Sequence, residues 1–268
     1  MSRQALIGEL KTAIEAVERG PVCKGGDGAR RVMTLAGGVP QAAAGTLNEV
    51  WCDSPGNSGA SLGFALMQAQ ELLTPRRGAL VYLHLGGDGQ EMGLPYGPGL
   101  AAFGLDPARL VVGRMQRIAD LLWAIEEAAA CQAVAAVIAD IARHHKALDF
   151  TTSRRLAMRA RAAGTAIFVV RYGREREASA THLRWHVAPA PSAPFAFDPR
   201  APGAARLAVT LEKGAAHVPG RGGVDHWLVE WTKNGLAAAD DGGAARRKVT
   251  ALSRAFPAAL GDRLPETA

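Results

Sequence analysis

The sequence predicts an α/β protein: a doubly wound, mostly parallel sheet extended by a C-terminal antiparallel hairpin, with a separate N-terminal amphipathic helix. Three observations predict it. Short apolar runs recur through residues 46–172, and apolar runs without polar alternation belong to strands buried on both faces of a parallel sheet. Helical patterns separate these runs, giving the β-α-β-α alternation of a doubly wound core. Beyond residue 180 the helices stop, and strand candidates follow one another with turn residues between them.

The elements follow in order. Residues 4–19 place Leu6, Leu10, Ile14 and Val17 at helical spacing, with Glu9, Lys11, Glu15 and Glu18 between them. "GPVCKGGDGARR" breaks that helix, so residues 1–24 are read as a separate helix whose apolar stripe docks on the chain's own body or serves as an oligomerisation or partner element. "TLNEVWC" (46–52) is the first strand of a core expected over residues 40–235. "ASLGFALMQAQELL" is a helix and "GALVYLHL" (78–85) a strand. A short helix is expected in "LPYGPGLAAFGLD", a strand over 109–114 and a helix in "IADLLWAIEEAAAC". "AVAAVIADI" (133–141) is an almost wholly apolar strand. "TSRRLAMRARAAG" is a helix and "TAIFVVRYG" another apolar strand. "LRWHVAP", "ARLAVTLEK" and "DHWLVEW" are strands. The last puts Trp227, Val229 and Trp231 on one face, packed against the sheet, and "HVPGRGG" before it favours a hairpin. "APAPSAPFAFDPRAPG", with its five prolines, is expected to be a surface loop. Residues 236–268 are expected to be a flexible tail, with a short helix over 244–254.

Bulk composition narrows the function. The chain has 268 residues, 48% of them apolar, which suffices for a sizeable core. No apolar run approaches the roughly 20 residues of a membrane helix, and charges interrupt the N-terminal apolar positions, unlike a secretory signal. Three widely spaced cysteines fit a reducing compartment, so the cytoplasm is expected. A net charge of +6 favours a polyanion or an acidic protein surface as partner. The histidines and cysteines form no CxxC, HxxxH or HExxH spacing. Cys52 and His84 both end strands, but two ligands do not make a structural zinc site, and no metal is expected. No nucleophile–base constellation is present.

One motif carries chemistry. "CDSPGNSGAS" joins a strand to a helix, which is the layout of a phosphate-binding loop. Ser54 stands where the opening glycine belongs, and Gly56, Asn57 and Ser58 fill the loop. Gly59 and Ser61 take the places of the last glycine and the magnesium-binding hydroxyl, but Ala60 replaces the lysine. Without that ammonium group the charge of phosphoryl transfer lacks its main stabiliser, so efficient hydrolysis is not expected. The same residues also serve as a simple tight β-α turn. Asp140 closes an apolar strand, as the second half of such a site requires. Asp88 and Glu91 are expected to point away from it. The helix over 152–164 sets Arg154 and Arg161 on one line and Arg155 and Arg159 beside it. With Arg143 and Lys146 in "RHHK", these are candidate contacts for DNA or for an acidic partner, or else a solvated face. Single-strand binding also wants stacking aromatics, and Tyr172 is the only aromatic available in the loops "RHHK" and "RYGRERE" (171–177).

The order of these motifs resembles a known family. "GTLNEVWCDSPGNSGASLGFAL" is similar to the strand, phosphate loop and helix of RecA-type recombinases with the lysine gone. "LPYGPGLAAFGLDPARLVVGR", "ADLLWAIEEAAACQAVAAVIADI" and "LDFTTSRRLAMRARAAGTAIFVVR" resemble the ImuA family more closely, and the likeness covers about residues 40–235. That resemblance implies a RecA-like core and the role of an accessory factor, not a polymerase, in SOS-induced translesion synthesis. It implies an inactive polymerase homologue, ImuB, as partner, with an error-prone C-family polymerase reached indirectly. RecA is a further implied partner, and RecA-type folds imply self-association. Of the RecA roles, Gly59, Ser61 and Asp140 match, Ser54 and Ala60 depart, and no glutamate stands near 84–86. No cofactor is expected, although weak ATP binding is left open. Two rivals remain: a residual ATPase, and a SulA-like inhibitor of cell division, because SulA shares the truncated RecA-like fold.

Overall fold

The computed structural model describes residues 38–192, 194–195, 197–214, 226–232 and 235–239. The helices expected over 4–19 and 244–254, and the turn 217–223, lie outside the described residues. The chain enters at β1 (Leu47–Cys52), passes through a 3-10 turn (Pro55–Asn57) into α1 (Ser58–Gln70), and continues to β2 (Ala79–Leu85). Two short helices follow, α2 (Gly86–Met92) and α3 (Gly97–Ala102). Then come β3 (Leu110–Met115), α4 (Ile118–Ala130), β4 (Val134–Ile141), α5 (Phe150–Ala163) and β5 (Ala166–Tyr172). The described elements that follow are all strands: β6 (Leu183–Ala190), β7 (Pro194–Phe195), β8 (Asp198–Pro202), β9 (Arg206–Lys213), β10 (His226–Thr232) and β11 (Gly235–Ala238).

Among the described residues nine strands form one sheet in the order β11-β10-β9-β6-β1-β5-β4-β2-β3. The pairings from β3 to β6 are parallel, and β6-β9, β9-β10 and β10-β11 are antiparallel. This α/β architecture is the expected one and is compatible with a RecA-like core. Every residue of β1 and β4 is buried, as their unbroken apolar runs require, whereas β6 alternates buried and half-buried positions along most of its length. Two apolar layers result. On one face α1 packs Phe64, Leu66 and Met67 against Tyr82, Phe168 and Trp185. On the other, α4 and α5 pack Leu121, Ile125, Leu156 and Ala160 against Val137, Ile167 and Val169. Each such large buried side chain contributes about 1.5–3 kcal/mol.

Local chemistry fixes the helix ends. The Asp149 carboxylate accepts the Thr152 N–H at 2.7 Å and caps α5, and Gly164 ends it with φ +68, a left-handed stop that suits glycine. Trp231 leans on α1 where Gly63 leaves room; a Cβ at Gly63 would meet the Trp231 ring at 2.5 Å. Trp231 also stacks on Phe103, centroids 4.1 Å apart.

Three features depart from the sequence reading. "GGDGQEM" forms α2, a helix continuous with the end of β2. Part of the proline-rich stretch pairs as the small β7-β8 ribbon beside the main sheet. Residues 236–238 belong to edge strand β11, so the sheet runs past residue 235.

Candidate functional site

The phosphate-loop motif lies at the C-terminal ends of the parallel strands, where open α/β sheets bind ligands. Its backbone does not form an open cradle. Ser54 caps the 3-10 turn, its Oγ accepting the Gly56 N–H at 3.3 Å. The Asn57 N–H donates to Ser54 O at 2.9 Å, and the Ser58 N–H to Pro55 O. Three successive donors that could wrap an anion are therefore bonded within the turn. No residue from Ser54 to Ser61 has a positive φ. Gly59 is exposed and a Cβ there would meet nothing within 4 Å, while Ala60 packs against the core. Ser61 is fully buried; its Oγ donates to Ser58 O at 3.1 Å and lies 3.5 Å from Cys52 Sγ. Burial pushes the Cys52 thiol pKa up, opposed by its hydrogen bonds with Ser61 and Ser54.

Asp140, next to last in β4, is 5% exposed. In register it lies between His84 of β2 and Val170 of β5. Side chains two residues apart along a strand share a face. Tyr82, two before His84, and Tyr172, two after Val170, therefore approach Asp140 from either side. The Tyr82 hydroxyl donates to Oδ2 at 2.8 Å and the Tyr172 hydroxyl to Oδ1 at 2.8 Å. Burial raises the Asp140 pKa. The two hydroxyl donors and nearby His84 oppose that rise, and the Asp88 charge adds to it. Both tyrosines are in turn held well above the usual phenol range, first by burial and then by the Asp140 charge. Tyr172 is thus the last residue of β5 and a partner of Asp140, a correction to its reading as a loop aromatic.

Asp88 corrects a second expectation. It is 7% exposed on α2, and its Oδ2 accepts the Ala142 N–H at 3.2 Å, tying α2 to the end of β4. His84 is buried, stacks on Tyr82 and donates from Nδ1 to Leu85 O at 3.0 Å; its Nε2 has no hydrogen-bond partner among the described residues. Among the described residues no group of His, Cys, Asp or Glu is arranged to hold a metal ion. Above Asp140, beside Ser58 and Gly59, is a pocket of about 190 Å³ walled mainly by Leu62, Leu66, Leu94, Tyr96 and Trp231. That is below the roughly 300 Å³ at which small-molecule sites begin.

The basic candidates fall into two groups. Arg143 and Lys146 are exposed in the loop after β4, with Arg143 Nε 4.0 Å from Asp88 Oδ1. Arg154, Arg155, Arg159 and Arg161 run down the exposed side of α5. Arg155 and Arg159 share Glu126 of α4, at 2.8 and 3.3 Å, whereas no described residue pairs with Arg154 or Arg161. The charged segment after β5 folds back onto the sheet. Arg171 pairs with Glu177 and Arg176 with Glu212, and both guanidiniums lie over the Trp51 ring. His144 pairs with Glu177 and so joins the loops after β4 and β5. Arg171 and Arg176 are thus neutralised in place, and among the described residues of this segment they form no open basic groove.

Fold and site together define an α/β protein with a strand-turn-helix at the C-terminal ends of its parallel strands and a buried aspartate tied to two tyrosines. No protein-family model matches the chain. Over 135 residues, 47% of this chain, it is 34% identical to Protein ImuA from two strains of Caulobacter vibrioides. The stretch covers 53% of each of those proteins, so the chain spans about half the length of the curated relatives it matches. Among the described residues no helix is long and apolar enough to cross a membrane.

Proposed function

We propose that the chain is a non-catalytic, RecA-like adaptor of damage-inducible mutagenesis. It works in the cytoplasm and joins an ImuB-type polymerase homologue to an error-prone C-family polymerase, with RecA as a further partner. The likeness to Protein ImuA over about half the chain supports the setting. The observation that carries the absence of catalysis is the tie on Asp140. The carboxylate that would steer a metal-bound water holds a tyrosine hydroxyl on each oxygen, both at 2.8 Å. Three further features point the same way: Ala60 in the lysine position, loop N–H groups bonded internally, and a pocket too small for a nucleotide.

A phosphate-binding enzyme gains rate from fixed positive charge and donors aimed at developing negative charge. Here the donors are spent on the fold. A body whose site is filled by its own side chains acts through its surfaces. The test is co-expression of the full chain with an ImuB-type partner, followed by affinity capture and size-exclusion chromatography. Co-elution at micromolar concentration is expected; separate elution would contradict the reading.

A further inference from the structure

Helices α4 and α5 cover one face of the sheet, and their outward side carries large apolar groups that the core does not use. Trp123 is 65% exposed, Met158 65% and Phe150 50%. Trp123 is one turn before Glu126 on the outer side of α4, where Glu126, Glu127 and Ala130 also lie. Met158 sits among Arg154, Arg155 and Arg159 and with them lines a depression of about 440 Å³ along α5. A second depression of about 880 Å³, between the ends of α4 and α5, shares Arg159 and Ala162 with the first and adds Arg76. Together they form a shallow trough along two packed helices, lined by Met158 and arginines, and Trp123 is exposed on the same outer side of α4 as Glu126 and Ala130, which line the second depression.

We infer that this α4–α5 face is a docking site for an acidic amphipathic segment of another protein, whose apolar side chains cover Trp123 and Met158 and whose carboxylates meet Arg154 and Arg161. The inference deepens the adaptor reading and rests on it. Charge complementarity selects the occupant. Arg154 and Arg161 are exposed with no partner among the described residues, so they are available to an incoming anion. The chain's own flanking segments, 1–37 and 240–268, each carry more Lys and Arg than Asp and Glu, so neither complements the face. A second copy placed symmetrically would set arginine against arginine. Nucleic acid fits less well than protein. Phosphate backbones select dense, unpaired cations, whereas Glu126 already neutralises Arg155 and Arg159, and Glu127 adds negative charge. Exposed tryptophan, methionine and arginine are residue types enriched at protein interfaces, and a trough along helices suits a helical ligand.

The test is selection of a random peptide library against the purified full chain, followed by fluorescence anisotropy with the enriched peptides and with a single-stranded oligothymidine. Enriched peptides should combine net negative charge with aromatic or aliphatic residues. Trp123→Ala and Arg154→Glu should each weaken their binding about tenfold or more, as hot-spot truncations do. Both variants should keep the wild-type melting profile, since both side chains are exposed. Peptides without acidic residues, no enrichment, or binding that ignores both substitutions would overturn the assignment. So would oligothymidine binding that exceeds peptide binding and falls with Arg154→Glu. Loss of this face with the ImuB-type complex intact would remove the surface assignment and leave the adaptor reading standing. Loss of the complex in the unaltered chain would remove the adaptor reading.

Discussion

Tyr172→Phe deletes one hydroxyl and leaves the ring that fills the end of β5. The lost bond is the 2.8 Å donation to Asp140 Oδ1, a charge-assisted bond to a carboxylate only 5% exposed. Water cannot readily replace it there. Hydrogen bonds to charged groups contribute about 1.5–3 kcal/mol, so the variant should unfold that much more easily. For a domain of this size each kcal/mol shifts Tm by about 2–4 °C, so a fall of about 3–12 °C is expected. Urea unfolding followed by circular dichroism gives the free energy directly. A cycle with Asp140→Asn isolates the contact: the two substitutions should be non-additive by more than about 0.5 kcal/mol, as residues in direct contact are. A Tyr172→Phe change below about 0.5 kcal/mol, or strict additivity with Asp140→Asn, would refute the claim that the hydroxyl holds the carboxylate.

Asp140 also sets a pH dependence. Its folded pKa is raised, chiefly by burial, so its contribution to stability is full below the ordinary aspartate value of about 3.8 and is lost as pH rises through the raised value. Asp140→Asn removes that titration, so the stability difference between wild type and variant should change with pH above about 4; parallel curves would contradict it. Gly63→Ala should cost about 1–3 kcal/mol by overpacking, because the new Cβ meets Trp231 at 2.5 Å, and tryptophan emission should shift as that ring moves. Ala60→Lys should not confer ATP turnover, because the loop donors and Asp140 stay engaged; magnesium-dependent phosphate release by that variant would show that the lysine alone was missing.

Strand burial and helix order were legible in the sequence because local patterns dictate them. "AVAAVIADI" has no polar face and could only be a strand covered on both sides, which β4 is. The glycine that stops α5 could be placed from sequence, although the helix begins two residues earlier than expected, at Phe150 behind its Asp149 cap. Helix α2 was not legible. Three glycines in seven residues argue against a helix, and tertiary packing overrides that preference, with Asp88 reaching the Ala142 N–H. Candidate site residues could be named one by one, but their partners could not. Tyr82 and Tyr172 meet on Asp140 only because β2, β4 and β5 are adjacent, and strand order is not written in any single segment. Trp123 is hidden for a related reason: one aromatic within an apolar helical run looks like core until the buried side of the helix is known.

The most direct measurement is phosphate release from ATP by the purified full chain, with magnesium and single-stranded DNA present, alongside Ser61→Ala and Asp140→Asn. The expected result is a background rate shared by all three proteins. Magnesium-dependent release well above background that falls in either variant would mean that Asp140 and the 54–61 turn form a working nucleotide site, and the adaptor reading would fail.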